Sequence, residues 1–177
     1  AGYAFAGGRG EEALFISFDE EPLGLIPNSW QVIGGEWRTA VSETEQVFQQ
    51  SLATLQGLSY ALYLPANYTI CVQVRPIKTA MPSGAGLIAY WQDTQNHYRF
   101  MSYDNRVLLI KVSNGQIAVL SQLAFPLEVG KWYCMKLSVT SVGKRTLLYG
   151  KVWAKDEKEP SGWMLVSEDL SPATTHG

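Results

Sequence analysis

The side chains that could do chemistry are few here, and their spacing does not suit catalysis. Glycosidic hydrolysis uses two carboxylates that face each other across the scissile bond. Asp19, Glu20 and Glu21 instead sit side by side, and Asp156, Glu157 and Glu159 crowd one polar run with Lys158. His97 and His176 are the only histidines, and no serine, histidine and aspartate form a legible triad. Two cysteines are too few for a thiolate zinc cage. The chain reads as a protein that is not an enzyme.

Recognition asks for different groups. Carbohydrate binding needs aromatic faces for the sugar ring and planar or charged hydrogen-bonding groups for its hydroxyls. Tyr90, Gln92, Arg99, Met101 and Tyr103, with Gln73, Arg75 and Lys136, are the candidates for such a face. The six tryptophans fall mostly on apolar faces or at strand starts, which assigns them to core packing.

The elements that must position these groups are strands. From Gly86 to Gly115 apolar residues recur at every second position in three runs cut by QDTQN, YDN and SNG, the pattern of an antiparallel meander. Strict alternation puts Leu87, Ala89 and Trp91 on one face and Ile88, Tyr90 and Gln92 on the other. It likewise sets Tyr98 and Phe100 against Arg99 and Met101, so Tyr90 and Arg99 are expected on the solvent side, with Trp91 and Phe100 in the core. Further runs, LFISFD, SWQVI, EWRTAV, QVFQQS, LSYALYL, YTICVQVRP, QIAVLSQLAF, KWYCMKLSVTSV, RTLLYGKVWA and GWMLVSE, extend the pattern along the chain. Gly34-Gly35 reads as a hairpin turn, and a helical turn fits only around Glu43 to Gln46. Nothing alternates helix with strand, so the expectation is one all-β domain over residues 1–177, a two-sheet antiparallel β-sandwich.

Cys71 and Cys134 fall on the non-core faces of their strands, and a disulfide between neighbouring strands follows if the two lie opposite each other. That bond would imply an oxidising compartment. Asn67-Tyr68-Thr69 is an N-glycosylation acceptor pattern. Net charge is -2 with no basic stripe, which argues against nucleic acid as a partner. No apolar run reaches the ~20 residues that a membrane-spanning helix needs, and the opening AGYAFAGG lacks the features of a signal peptide. The chain reads as soluble and already processed. Charged residues make up 17% of it, below the roughly 25% of ordinary soluble proteins, while Thr, Ser, Gln, Tyr and Trp supply much of the polar surface, as in extracellular β-proteins.

Six pieces in order, FxFD, SWxVxGGxW, GLIAYWQDxxNHYRF, RVxLxKVxNG, GKWYxMKLSV and KVWAKxxxEPxxWxLVSED, resemble the bacterial laminin G-like branch of the concanavalin A-like lectin and glucanase superfamily, over essentially the whole chain. The resemblance implies a jelly roll with one concave sheet, secreted or at the cell surface, used for adhesion, carbohydrate binding or structure. It also implies a structural calcium near the first strand, for which Asp19 and Glu21 are the available oxygen ligands. The chain departs from the pattern at its ends. The expected closing strand does not follow ThrThrHisGly, and the opening AGYAFAGGRGEEALFISFD looks like that missing tail. Residues 1–13 therefore read as a terminal strand that completes this sheet, circularly shifted, or completes a neighbour's. The functional expectation is a non-catalytic extracellular module that binds glycan or a cell-surface component; the alternative is a filament subunit that self-associates through its N-terminal strand.

Overall fold

In a computed structural model of the chain, the described residues are 16–28, 30–51, 58–60, 67–77 and 84–174. They contain twelve strands and no helix. By their contacts the described residues fall into two compact units, one within Phe15–Tyr63 and the other within Leu64–Gly177. The terminal arm at 1–13 and His176 lie outside the described residues, and with them the circular shift and the strand-donation reading.

The first unit holds β1 (Gln31–Gly34), β2 (Trp37–Ser42), β3 (Glu45–Gln50) and β4 (Leu58–Tyr60). The Gly34-Gly35 dipeptide does not make a hairpin. β1 pairs with β4 and β2 with β3, and Gly35, at φ 82°, redirects the chain between the two pairs. The left-handed turn belongs instead to Glu43, at φ 60°, and the segment expected as a helical turn is the tip and second strand of the β2–β3 hairpin. Phe18, Trp30, Trp37 and Phe48 build the core of this unit, with ring centroids 5.0 to 5.6 Å apart.

The second unit holds β5 (Asn67–Val74), β6 (Gly86–Asp93), β7 (Asn96–Tyr103), β8 (Arg106–Ser113), β9 (Gln116–Ala124), β10 (Tyr133–Val142), β11 (Arg145–Ala154) and β12 (Leu165–Asp169). They form two four-stranded antiparallel sheets, β12-β11-β10-β5 and β6-β7-β8-β9, packed as a sandwich. The β7–β8 and β8–β9 hairpins turn on Asp104-Asn105 and Asn114-Gly115, each with both φ values positive, as two-residue turns of this type require. Tyr68, Ile70, Met135, Leu137, Val139, Leu148 and Val152 from one sheet meet Leu87, Ala89, Tyr98, Phe100, Val107 and Leu109 from the other. These residues sit at the alternate positions the pleat assigns to one face, so the residues between them turn to the other, where Leu108, Ile110 and Val112 of β8 form a second buried cluster.

One position breaks the expected alternation. Pairing between β6 and β7 shifts after Ala89, and Tyr90 takes φ 50°, a left-handed conformation rare for a bulky residue. The bulge turns Tyr90 into the core. Its backbone N–H donates to Tyr68 Oη at 2.9 Å, its own Oη accepts from Ser141 Oγ at 3.2 Å, and its ring meets Tyr68 and Tyr98 edge-on. Burial pushes the Tyr68 phenol up to about 12 and raises that of Tyr90 as well. Trp91 is displaced to the outer face beside His97, ring centroids 5.1 Å apart. Tyr90 and Trp91 thus exchange the places expected of them, while Phe100 is fully buried and Arg99 faces out as expected.

Candidate functional site

The outward face of the β12-β11-β10-β5 sheet follows directly from strand register. With Met135, Leu137, Leu148 and Val152 turned inward, Cys134, Lys136, Ser138, Tyr149, Lys151 and Trp153 must face out. Pairing aligns them in rows across the sheet: Gln73, Cys134 and Trp153; Cys71, Lys136 and Lys151; Thr69, Ser138 and Tyr149. Two lysines directly opposite each other repel. Glu159, from the loop after β11, answers both, at 2.9 Å from Lys136 Nζ and 2.7 Å from Lys151 Nζ. Hydrogen bonds from Lys151 and then Lys136 hold its carboxyl below the usual range, so it is ionised.

Aromatic rings surround these charges. Lys151 Nζ lies 5.0 Å from the Trp163 ring centroid and 5.9 Å from that of Trp153, and it donates to the Pro160 carbonyl at 2.8 Å. Lys151 is 7% exposed, so its charge is stabilised by these contacts rather than by water. Trp163 also packs on Tyr149, centroids 5.7 Å apart, and remains 38% exposed. At the other end of the face, Arg75 Cζ and Lys155 Nζ stand 5.5 and 5.4 Å from the half-buried Trp132 ring. Gln73 Oε1 is shielded and has no hydrogen-bond partner.

The residues expected to form one binding face are therefore split. Gln73, Arg75 and Lys136 belong to this outer face, while Arg99, Met101 and Tyr103 lie on the outer face of the opposite sheet. The whole sandwich separates the two sets, so no single ligand bridges them. Tyr90 is in the core and Gln92 is exposed beyond the bulge. On the opposite sheet His97 is fully buried. It accepts from Arg99 Nε at 2.7 Å through Nε2, which leaves the proton on Nδ1, 2.9 Å from the Asp93 carbonyl. Burial, with the Arg99 charge beside it, lowers its pKa.

Cys71 and Cys134 are free. The strands are neighbours and the faces match, yet Cys71 pairs with Lys136 and Cys134 with Gln73. That diagonal arrangement separates Cα atoms by ~7–8 Å, beyond the usual disulfide span. Burial, reinforced by Cys134, pushes the Cys71 thiol up to about 11, and burial raises that of Cys134, so neither is a ready nucleophile. Asn67 is exposed at the start of β5, and its Oδ1 accepts from the Ser141 backbone at 2.8 Å. Asp19 and Glu21 lie in a turn of the first unit, where Ser17 Oγ donates to the Asp19 carboxylate. Among the described residues no three His, Cys, Asp or Glu side chains cluster as a metal site would.

Trp132, Tyr149, Lys151, Trp153, Trp163 and Glu159 were missed as site residues. Parity along LYGKVWA carried the signal, because an inward Gly150 and Val152 force Tyr149, Lys151 and Trp153 outward.

No family model and no curated protein matches the chain. Among solved structures it is similar to the carbohydrate binding module CBM66 from Bacillus subtilis, with 17% sequence identity and a TM-score of 0.48 over 84% of this chain and 83% of that one. A likeness of that strength bears on neither ligand nor activity, and the sandwich assignment rests on the strand pairing itself.

Proposed function

We propose that the chain is a non-catalytic glycan-binding module whose ligand lies against the outer face of β5, β10 and β11. The observation that carries this reading is the placing of Trp132 and Trp163 on one outward sheet face, with Trp153 buried beneath it, among Arg75, Lys136 and Glu159. Indole faces present apolar area to the C–H face of a sugar, and the charged groups at their margins hydrogen-bond hydroxyls. Glu159 is the carboxylate at the centre of the face. Held ionised between two lysines, it is a poor proton donor to a glycosidic oxygen, which favours binding over hydrolysis. A polymeric glycan ligand would suit a module that works outside the cell or on its surface.

Affinity electrophoresis against a polysaccharide panel, followed by calorimetry on any ligand found, tests the reading. Trp132→Ala and Trp163→Ala should each weaken binding by about tenfold, the equivalent of ~1.4 kcal/mol. Tyr103→Ala on the opposite sheet should leave it unchanged. Loss of binding in the Tyr103 variant with both tryptophan variants intact would move the site to the other face.

A further inference from the structure

We infer that this face reads two adjacent hydroxyls of one sugar ring, and so takes glycans whose rings keep such a vicinal pair free of linkage. The inference rests on the proposed glycan reading and narrows it to a chemical class. Both ion pairs of Glu159 end on the same oxygen: Lys136 Nζ stands 2.9 Å and Lys151 Nζ 2.7 Å from Oε1. Among the described residues nothing bonds Oε2. Lys151 is the anchor of the trio, its side chain 9% exposed and its ammonium also bonded to the Pro160 carbonyl. Lys136 and Glu159 are the outward members, with side chains 28% and 41% exposed. Of the three N–H groups of Lys136, one meets Oε1, and the other two have no acceptor among the described residues.

A ligand therefore meets one acceptor and one donor, both held in place. An ionised carboxylate oxygen only accepts and an ammonium only donates. The two oxygens of a carboxylate share a carbon, so Oε2 and Lys136 Nζ stand side by side, as do two hydroxyls on adjacent carbons of a sugar ring. One hydroxyl donates to Oε2 and its neighbour accepts from Nζ, and both bonds are charge-assisted, hence stronger than bonds between neutral groups. A ligand carboxylate would meet Glu159 and a ligand ammonium would meet the lysines, so a neutral pair of hydroxyls suits the site better than either. A ring with a single hydroxyl there would take water from the second charged group and return no partner, which costs binding. Trp163, 38% exposed and 5.0 Å from Lys151 Nζ, adds apolar surface beside the pair for the C–H groups of the same ring.

Dextran, cello-oligosaccharides, linear mannan and inulin keep adjacent free hydroxyls on their rings. The main-chain rings of laminarin keep none, because the linkage takes the middle oxygen of the three. Calorimetry on the full chain should find at least one of the first four bound about tenfold or more tighter than laminarin. Lys136→Met, which retains most of the aliphatic stem, and Glu159→Gln should each lower that affinity about tenfold and bring it to within about twofold of laminarin's, with far-UV circular dichroism unchanged. Laminarin bound as tightly as the best of the four, or a preference that survives undiminished in both variants, overturns the inference and leaves the glycan reading standing. Failure to bind any of the five overturns the glycan reading itself.

Discussion

Gly150 and Phe100 offer the sharpest test of how the sandwich sets the candidate face. Gly150 points into the core from β11, and a Cβ built on it would meet Phe100 Cδ2 and Cε2 at 3.0 Å and Cζ at 3.3 Å. Phe100 is fully buried on the opposite sheet, so its ring has no room to retreat. Gly150→Ala should therefore be overpacked, costing ~1–3 kcal/mol, against a gain of ~0.4–1 kcal/mol from a stiffer unfolded chain. Steric cost wins, and the net loss should be about 1–2 kcal/mol. Phe100→Ala should cost ~3–5 kcal/mol by leaving a cavity, whereas Phe100→Leu trims the ring edge and should cost less. In the Phe100→Leu background the added methyl at 150 should cost nothing or stabilise, giving a coupling energy of at least ~1 kcal/mol. Urea unfolding followed by circular dichroism closes the cycle. Because Tyr149 and Lys151 flank Gly150, ligand affinity should fall in Gly150→Ala and recover in the double variant. Strict additivity, within ~0.5 kcal/mol, would refute the reasoning that the Phe100 ring is what excludes a side chain at position 150.

Three further outcomes follow from particular contacts. Glu159→Gln leaves Lys136 and Lys151 opposed without a carboxylate; the loss should be only ~0.5–1 kcal/mol because the Glu159 side chain is 41% exposed, but Trp163 fluorescence should shift to the red. Since its folded pKa lies below the ordinary 4.5, that contribution should be present above pH 4.5 and fade as the pH falls below it. His97 has a folded pKa below 6.5, so the unfolded chain takes up the proton first and stability should decline as pH falls from 6.5, a slope that His97→Gln should flatten. Titration of unreduced protein should find two thiols, reacting slowly when native because burial keeps them protonated and fast when denatured; fewer than two in the denatured sample would restore the disulfide.

What the sequence made legible was periodicity, and what it hid was whatever periodicity does not control. Alternation placed Phe100 in the core and the turns at Asp104-Asn105 and Asn114-Gly115, because each depends only on neighbours in the chain. It failed at Tyr90, where a single left-handed residue turns Tyr90 into the core and Trp91 to the outer face of β6. No glycine or asparagine marks that position; the hydroxyl of Tyr68, 22 residues earlier, receives the freed N–H, and such a partner is invisible to local pattern. The split of the expected binding face has the same origin. Arg99 and Lys136 both face out, but β5 pairs with β10 rather than with β6, the next strand in sequence, which puts them on opposite sides of the protein. Trp153 was legible in both respects, since its parity with Lys151 turns it to the outer face and its apolarity goes with its burial there, at 8% exposure. Glu159 looked like one more charge in a solvated loop. Its role appears only when the loop returns over the sheet and one carboxylate meets two lysines brought opposite each other by the β10–β11 register. The face proposed to bind glycan is therefore a product of strand register and loop return, and its composition is read by asking which side chains the core has forced outward.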